Sequence, residues 1–184
     1  MDAKPTKPST PVEKLLWIDM EMTGLDVQKE VIIEVAALVT DFNYKVLETY
    51  EAIVRQPQSY LDAMDEWNTK HHGESGLTAK VPAGLEPSKV ESDLCNLVRK
   101  HFSGTEKPMI CGNSIAQDRL FINKYFRSFE ALLHYRMLDV SSWKIVMNNK
   151  YNKKYEKKNT HRALEDILES IEELKYYTQF IKLG

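Results

Sequence analysis

The feature that most constrains this chain is a run that begins as a buried strand and ends in acid: Leu15-Leu16-Trp17-Ile18-Asp19-Met20-Glu21-Met22. Six of its eight residues are apolar, the pattern of a strand covered on both faces. Side chains alternate across a strand, so Asp19 and Glu21 share a face, with Cα atoms roughly 6.5–7 Å apart. Carboxylates that close and that buried repel, and they persist by holding protons or by sharing cations. A pair of divalent ions about 3.5–4 Å apart is one arrangement this spacing can bridge. On residue type alone, an acidic pair at an exposed strand end is the simpler reading. The rest of the chain decides against it.

A chain of 184 residues suits one domain with a core large enough to enclose a cleft. Residues 1–12 are rich in Pro, Lys, Ser and Thr and hold no apolar stretch, which predicts a flexible tail rather than a signal peptide, with 13–184 as a single domain. No apolar run approaches the ~20 residues of a membrane-spanning helix, so no membrane partner is expected. Cys95 and Cys111 lack CxxC spacing and sit among apolar residues, which predicts buried free thiols and a reducing, cytoplasmic setting. The formal net charge is −2, where a protein that grips long nucleic acid by its phosphates carries a clear basic excess. The lysines at 150, 153, 154, 157 and 158 form a local cluster that reads as a solvated loop.

Three strands come first: Leu15–Met22, Val31–Thr40 and Val46–Val54, the last two joined by the polar turn Asp41–Lys45 as a hairpin. Ser59–Asn68 reads as one short helix. Ser88-Lys89-Val90-Glu91 has the form of a capping box, opening a helix with Val90, Leu94, Leu97, Val98, His101 and Phe102 on one stripe. Met109–Cys111 is a short strand and Ile115–Phe126 a helix. A strand around Arg136–Val140 precedes a helix starting at Ser141-Ser142, and a last helix follows Thr160 with Leu164, Ile167, Leu168, Ile171 and Leu174 inward. Three strands and then alternating helix and strand predict an α/β fold, a mixed five-stranded sheet with helices on both faces.

Two later segments add to the acidic pair. Gly112-Asn113-Ser114-Ile115-Ala116-Gln117-Asp118 places Asp118 one turn into a helix after a strand, where α/β folds line their ligand crevice. Alone, Asp118 fits equally a first-turn acid favoured by the helix dipole, and Asn113 and Ser114 fit simple capping residues. His161-Arg162-Ala163-Leu164-Glu165-Asp166 sets an imidazole and a carboxylate at the start of the last helix. Four carboxylates around two Mg²⁺ or Mn²⁺ ions, beside an imidazole titrating near neutrality, suit attack by water on a phosphodiester.

With these residues on the page, the chain resembles the DEDD exonucleases of the histidine-containing type, and within them the oligoribonuclease family. The resemblance is carried by Trp17–Asp26, Met64–Asn68, Ser75–Leu77, Cys111–Asp118, His134–Ser141 and Thr160–Ile167, nearly the whole chain beyond the tail. It implies an RNase H-like fold and 3′-to-5′ hydrolysis of very short single-stranded RNA, dinucleotides preferred, to nucleoside 5′-monophosphates. It further implies two divalent cations (Mg²⁺ or Mn²⁺) held by Asp19, Glu21, Asp118 and Asp166, with His161 as general base. Leu25 and Trp67 would bracket the bases, and Ser114, Arg136 and Ser141 would meet phosphate. The resemblance also implies a homodimer in which Tyr135 reaches the neighbouring active site. A general single-strand exonuclease using the same metal site is the alternative, and the absence of a broad basic excess argues against it.

Overall fold

The acidic strand lies at the middle of the sheet. In the computed structural model, which describes residues 13–104, 106–156 and 162–181, β1 (Lys14–Met22) pairs on one side with an antiparallel hairpin, β2 (Ile32–Asp41) and β3 (Val46–Ile53). On its other side run two parallel strands, β4 (Ile110–Gly112) and β5 (Met137–Asp139). The order β3-β2-β1-β4-β5 is the expected mixed five-stranded sheet. The hairpin turn is closed by the Asp41 carboxylate, which accepts from the amides of Asn43 and Lys45 at 2.8 and 2.9 Å.

The helices are α1 (Gln58–Asp62), α2 (Glu66–Glu74), α3 (Leu77–Lys80), α4 (Pro87–His101), α5 (Ala116–Tyr125), α6 (Arg127–Glu130), α7 (Val140–Tyr151) and α8 (Ala163–Thr178). They divide the sheet by parity. Leu16, Ile18 and Met20 of β1 join a core with Val90, Leu94 and Val98 of α4, Phe121 and Ile122 of α5, and Phe129 of α6. Leu15 and Trp17 point the other way, into a core with Val140 of α7 and Ala163, Ile167, Ile171 and Leu174 of α8. Strand alternation then carries Asp19 and Glu21 onto the α8 face. Trp17 is fully buried, and its indole N–H donates to the Thr40 hydroxyl at 3.0 Å.

Several local expectations are corrected. Ser59–Asn68 is two helices, because the Asp65 carboxylate captures the Asn68 amide at 2.7 Å and caps α2 as a new start. The box at Ser88–Glu91 is not formed: α4 begins at Pro87 without a side-chain cap, and Glu91 instead accepts from the Ser128 amide at 2.6 Å, docking α6. Helix α7 begins at Val140, capped by Asp139 rather than by the serines that follow. On α8 the inward stripe is rotated: Leu168 is exposed, while Ser170, Glu173 and Tyr177 are buried. The expected cap Thr160 and the tail 1–12 lie outside the described residues. Cys95 and Cys111 are buried free thiols, and no helix among the described residues is long and apolar enough to cross a membrane.

β4 approaches β1 so closely at Gly112 that a Cβ there would lie 2.9 Å from the Ile18 carbonyl oxygen and 3.1 Å from Ile115 Cδ1. The contact sits beside the peptide that leads into Asp19. Gly112→Ala is therefore expected to destabilise the fold by about 1–3 kcal/mol through overpacking, read as a lower urea midpoint. An unchanged midpoint would contradict this register.

Candidate active site

Two segments that are distant in sequence bring three carboxylates together. Asp19 and Glu21 project from β1 toward α8, and Asp166 stands in the first turn of that helix. One oxygen from each lies within 4.8 Å of the others, and all three side chains are half-buried, so together they can hold a cation. Asp118 is not in that set. It stands in the first turn of α5, is 5% exposed, and accepts a hydrogen bond from the Met20 amide of β1.

The electrostatics follow from depth. Burial first, then Asp166 and Glu34, push the Glu21 carboxyl up to about 7, with Arg162 pulling the other way. Burial raises Asp118 to about 8, against hydrogen bonds from its own amide and that of Met20, with Glu21 and Asp139 adding to the rise. At neutral pH Asp118 would therefore be mostly protonated and Glu21 about half so, unless positive charge is supplied.

Two neighbours were missed by the sequence reading. Glu34 lies directly across from Glu21 in the β1–β2 register and is buried. Its carboxylate takes the Arg162 guanidinium in a fork, Nη2 at 2.7 Å and Nε at 3.1 and 3.2 Å, and also accepts the Ala163 amide at 3.4 Å. A lone acid inside the apolar run of β2 is the same signal that singled out Asp19, and could have found it. His72 of α2 is buried, with Nε2 at 2.9 Å from the Met22 carbonyl and Nδ1 at 3.9 Å from Glu21 Oε2. Nothing in its local sequence marked it apart from the adjacent His71.

Around this centre the remaining candidates fall into three places. Leu25, 74% exposed, rides on the loop after β1, whose backbone carbonyl accepts from Gln117 Nε2 at 2.7 Å. Trp67, 54% exposed, stacks on His71 with ring centres 3.8 Å apart. Ser114 and Ser141 meet where β4 and β5 end: the Ser114 amide donates to Ser141 Oγ at 2.9 Å and to Asp139 Oδ1 at 3.0 Å. Tyr135, 73% exposed, stacks on His134, with the exposed Arg136 guanidinium 5.4 Å from its ring. His161 lies outside the described residues; its neighbour Arg162 is the residue that Glu34 holds.

The RNase T family model, described as exonuclease, matches residues 16–174. The chain is 46% identical over 173 residues to an oligoribonuclease of Bordetella pertussis, covering 91% of this chain and 95% of that protein. It is 45% identical over 172 residues to an oligoribonuclease of Francisella tularensis, at 91% and 95% coverage. Among solved structures, the zinc-bound form of the E. coli exonuclease I–single-stranded DNA complex superposes with a TM-score of 0.72 at 16% identity, over 92% of this chain and 41% of that one. That likeness is one of fold.

The raised carboxyls set the sign of a pH effect. In the unfolded chain they ionise near their ordinary values of 4.5 and 3.8, and in the fold only near 7 and 8. Their contribution to stability is thus fully present below about pH 4 and is lost as pH rises through 7 to 8. In metal-free protein, Glu21→Gln is expected to melt several degrees higher than the unsubstituted chain at pH 8.5 but not at pH 5. A pH-independent difference in Tm would count against a buried, protonated Glu21.

Proposed function

The chain belongs to the oligoribonuclease family of RNase T-type exonucleases, and from that premise we propose that it removes nucleotides 3′-to-5′ from very short RNA, dinucleotides above all, releasing nucleoside 5′-monophosphates. The observation that carries this reading is the convergence of Asp19, Glu21 and Asp166 on one point between β1 and α8.

The donor set fits a hard divalent cation: carboxylate oxygens, mutually repelling and partly desolvated. In our reading Asp19, Glu21, Asp118 and Asp166 hold two such ions, Mg²⁺ or Mn²⁺. When bound, these ions supply positive charge that offsets the carboxylates and the scissile phosphate and acidify water. The protein's own groups do the rest. His161 takes the proton of the attacking water. Leu25 and Trp67, large apolar groups left in solvent, pack against the bases. Ser114, Arg136 and Ser141 meet the 5′-terminal phosphate and close the site to further nucleotides. We read the free thiols as a sign of a reducing, cytoplasmic compartment. The domain comprises residues 13–184 and acts as a homodimer, with the outward Tyr135 completing the partner's site.

A protein of net charge −2 gains little from tracking a long backbone, so affinity must come from a few close contacts. End-labelled, 5′-phosphorylated RNAs of two, three, five and ten nucleotides, assayed with Mg²⁺ and with EDTA, test this. The dinucleotide is expected to bind tightest and turn over fastest, EDTA to abolish hydrolysis, and Asp19→Ala or Asp166→Ala to lower kcat by about 10²–10³-fold or more. Trp67→Ala should weaken dinucleotide binding about tenfold, from a stacking contribution of ~1–3 kcal/mol per base. Affinity climbing from two to ten nucleotides, or EDTA-resistant hydrolysis, would overturn the proposal.

The shared site has its own test. Tyr135→Ala and His161→Ala proteins, each of low activity, are expected to regain activity when mixed, because one site of each mixed dimer is then intact. No recovery despite demonstrated subunit exchange would count against a Tyr135 that acts in the partner.

A further inference from the structure

Glu173 is a fully buried carboxylate on α8, two turns beyond Asp166, with no part in the chemistry described above. Burying a carboxylate is costly unless hydrogen bonds compensate. Its Oε1 accepts the Tyr177 hydroxyl at 2.9 Å and its Oε2 accepts Asn113 Nδ2 at 3.1 Å. The same Asn113 amide nitrogen donates to Ser170 Oγ at 2.7 Å, while the Ser170 hydroxyl donates to the Asp166 carbonyl at 2.8 Å.

These bonds settle which way the Asn113 amide faces. Its N–H groups are directed at α8, so its Oδ1 is turned toward the start of α7, where it accepts the Ser141 hydroxyl at 3.1 Å. With its proton committed there, Ser141 Oγ presents lone pairs to the Ser114 amide at 2.9 Å, and the two serine hydroxyls stand 3.2 Å apart. Ser114 needs such support, because its backbone is left-handed, at φ 50°, a conformation unfavourable for a non-glycine residue. Asp139 adds a second acceptor for the same amide. A chain of directed hydrogen bonds thus runs from Tyr177 and Glu173 through Asn113 and Ser141 to Ser114.

We propose that Glu173 and Asn113 are positioning residues for recognition of the substrate's 5′-terminal phosphate, fixing through Ser141 the place and hydrogen-bond direction of Ser114. This rests on the reading that Ser114 and Ser141 meet that phosphate. Glu173 and Asn113 touch no substrate; they decide whether the serine pair is arranged before the phosphate arrives.

The test compares kcat/KM for a 5′-phosphorylated dinucleotide and for the same dinucleotide with a 5′-hydroxyl. Asn113→Ala is expected to lower the preference for the phosphorylated substrate about tenfold, the worth of one well-made hydrogen bond to a charged group. The loss should fall on KM, with kcat for the 5′-hydroxyl substrate and the Mg²⁺ requirement unchanged. Glu173→Gln, which keeps the volume and a carbonyl acceptor, should retain more of the preference than Glu173→Leu; this pair also carries the test if Asn113→Ala does not fold. Adding Asn113→Ala to Ser114→Ala should cost no further preference, since both act on one contact. Equal losses on the two substrates, or additive effects in the double variant, would overturn the inference and leave only a structural role. A wild-type enzyme without any preference for the 5′-phosphate would instead overturn the reading of the serines on which it stands.

Discussion

The enclosure of carboxylates at the end of a central strand is the constraint to which the rest of the molecule answers. Because β1 is paired on both edges and packed on both faces, Asp19 and Glu21 are held half-buried at the edge of the core. Helix α8 brings Asp166 to the same point and β2 sets Glu34 opposite Glu21, so negative charge accumulates where the dielectric is low. The protein answers in part with Arg162, whose guanidinium forks onto Glu34, and in part by leaving protons on Glu21 and Asp118. The remaining deficit of positive charge is what makes the place receptive to cations.

Helix α8 is tied to the sheet at two heights, and both ties are polar. At its start, Glu34 holds Arg162 and the Ala163 amide; farther along, Ser170 and Glu173 hold Asn113 at the end of β4. Asp166 lies between these anchors. A carboxylate that must stay within an ångström or so of its place is well served by a helix that can neither slide nor rotate, because buried polar bonds lose far more on breaking than apolar contacts lose on slipping. The same helix joins the acidic centre to the serine pair where β4 and β5 end.

Much of this was legible in the residues, for identifiable reasons. The order of strands and helices followed from apolar periodicity, and the joint facing of Asp19 and Glu21 followed from strand alternation alone. Asp118 and Asp166 could be placed at helix starts but not brought to the centre by spacing, and only Asp166 joins the three-carboxylate set. What stayed hidden was tertiary. Glu91 looked like half of a capping box, yet its partners are amides on α6; Asp65 looked like a mid-helix residue, yet it starts a helix. Glu34 and Arg162 are 128 positions apart, and no local pattern pairs them. The stripe on α8 was misjudged because Ser170, Glu173 and Tyr177 are polar by type and buried by mutual hydrogen bonding, while Leu168, apolar by type, is left in solvent.

In our reading, the half-buried Glu21 carboxyl on β1 and the buried Asp118 carboxyl on α5 keep protons until a divalent cation displaces them. Calorimetric titration of Mn²⁺ into the metal-free protein, repeated in buffers of different ionisation enthalpy, counts the protons released per ion bound. Release of about one proton or more is expected at pH 6.5, which lies below the raised values of about 7 for Glu21 and about 8 for Asp118, falling toward zero at pH 9. Glu21→Gln should remove part of it. Binding without proton release at pH 6.5, or release that does not change between pH 6.5 and 9, would contradict the account.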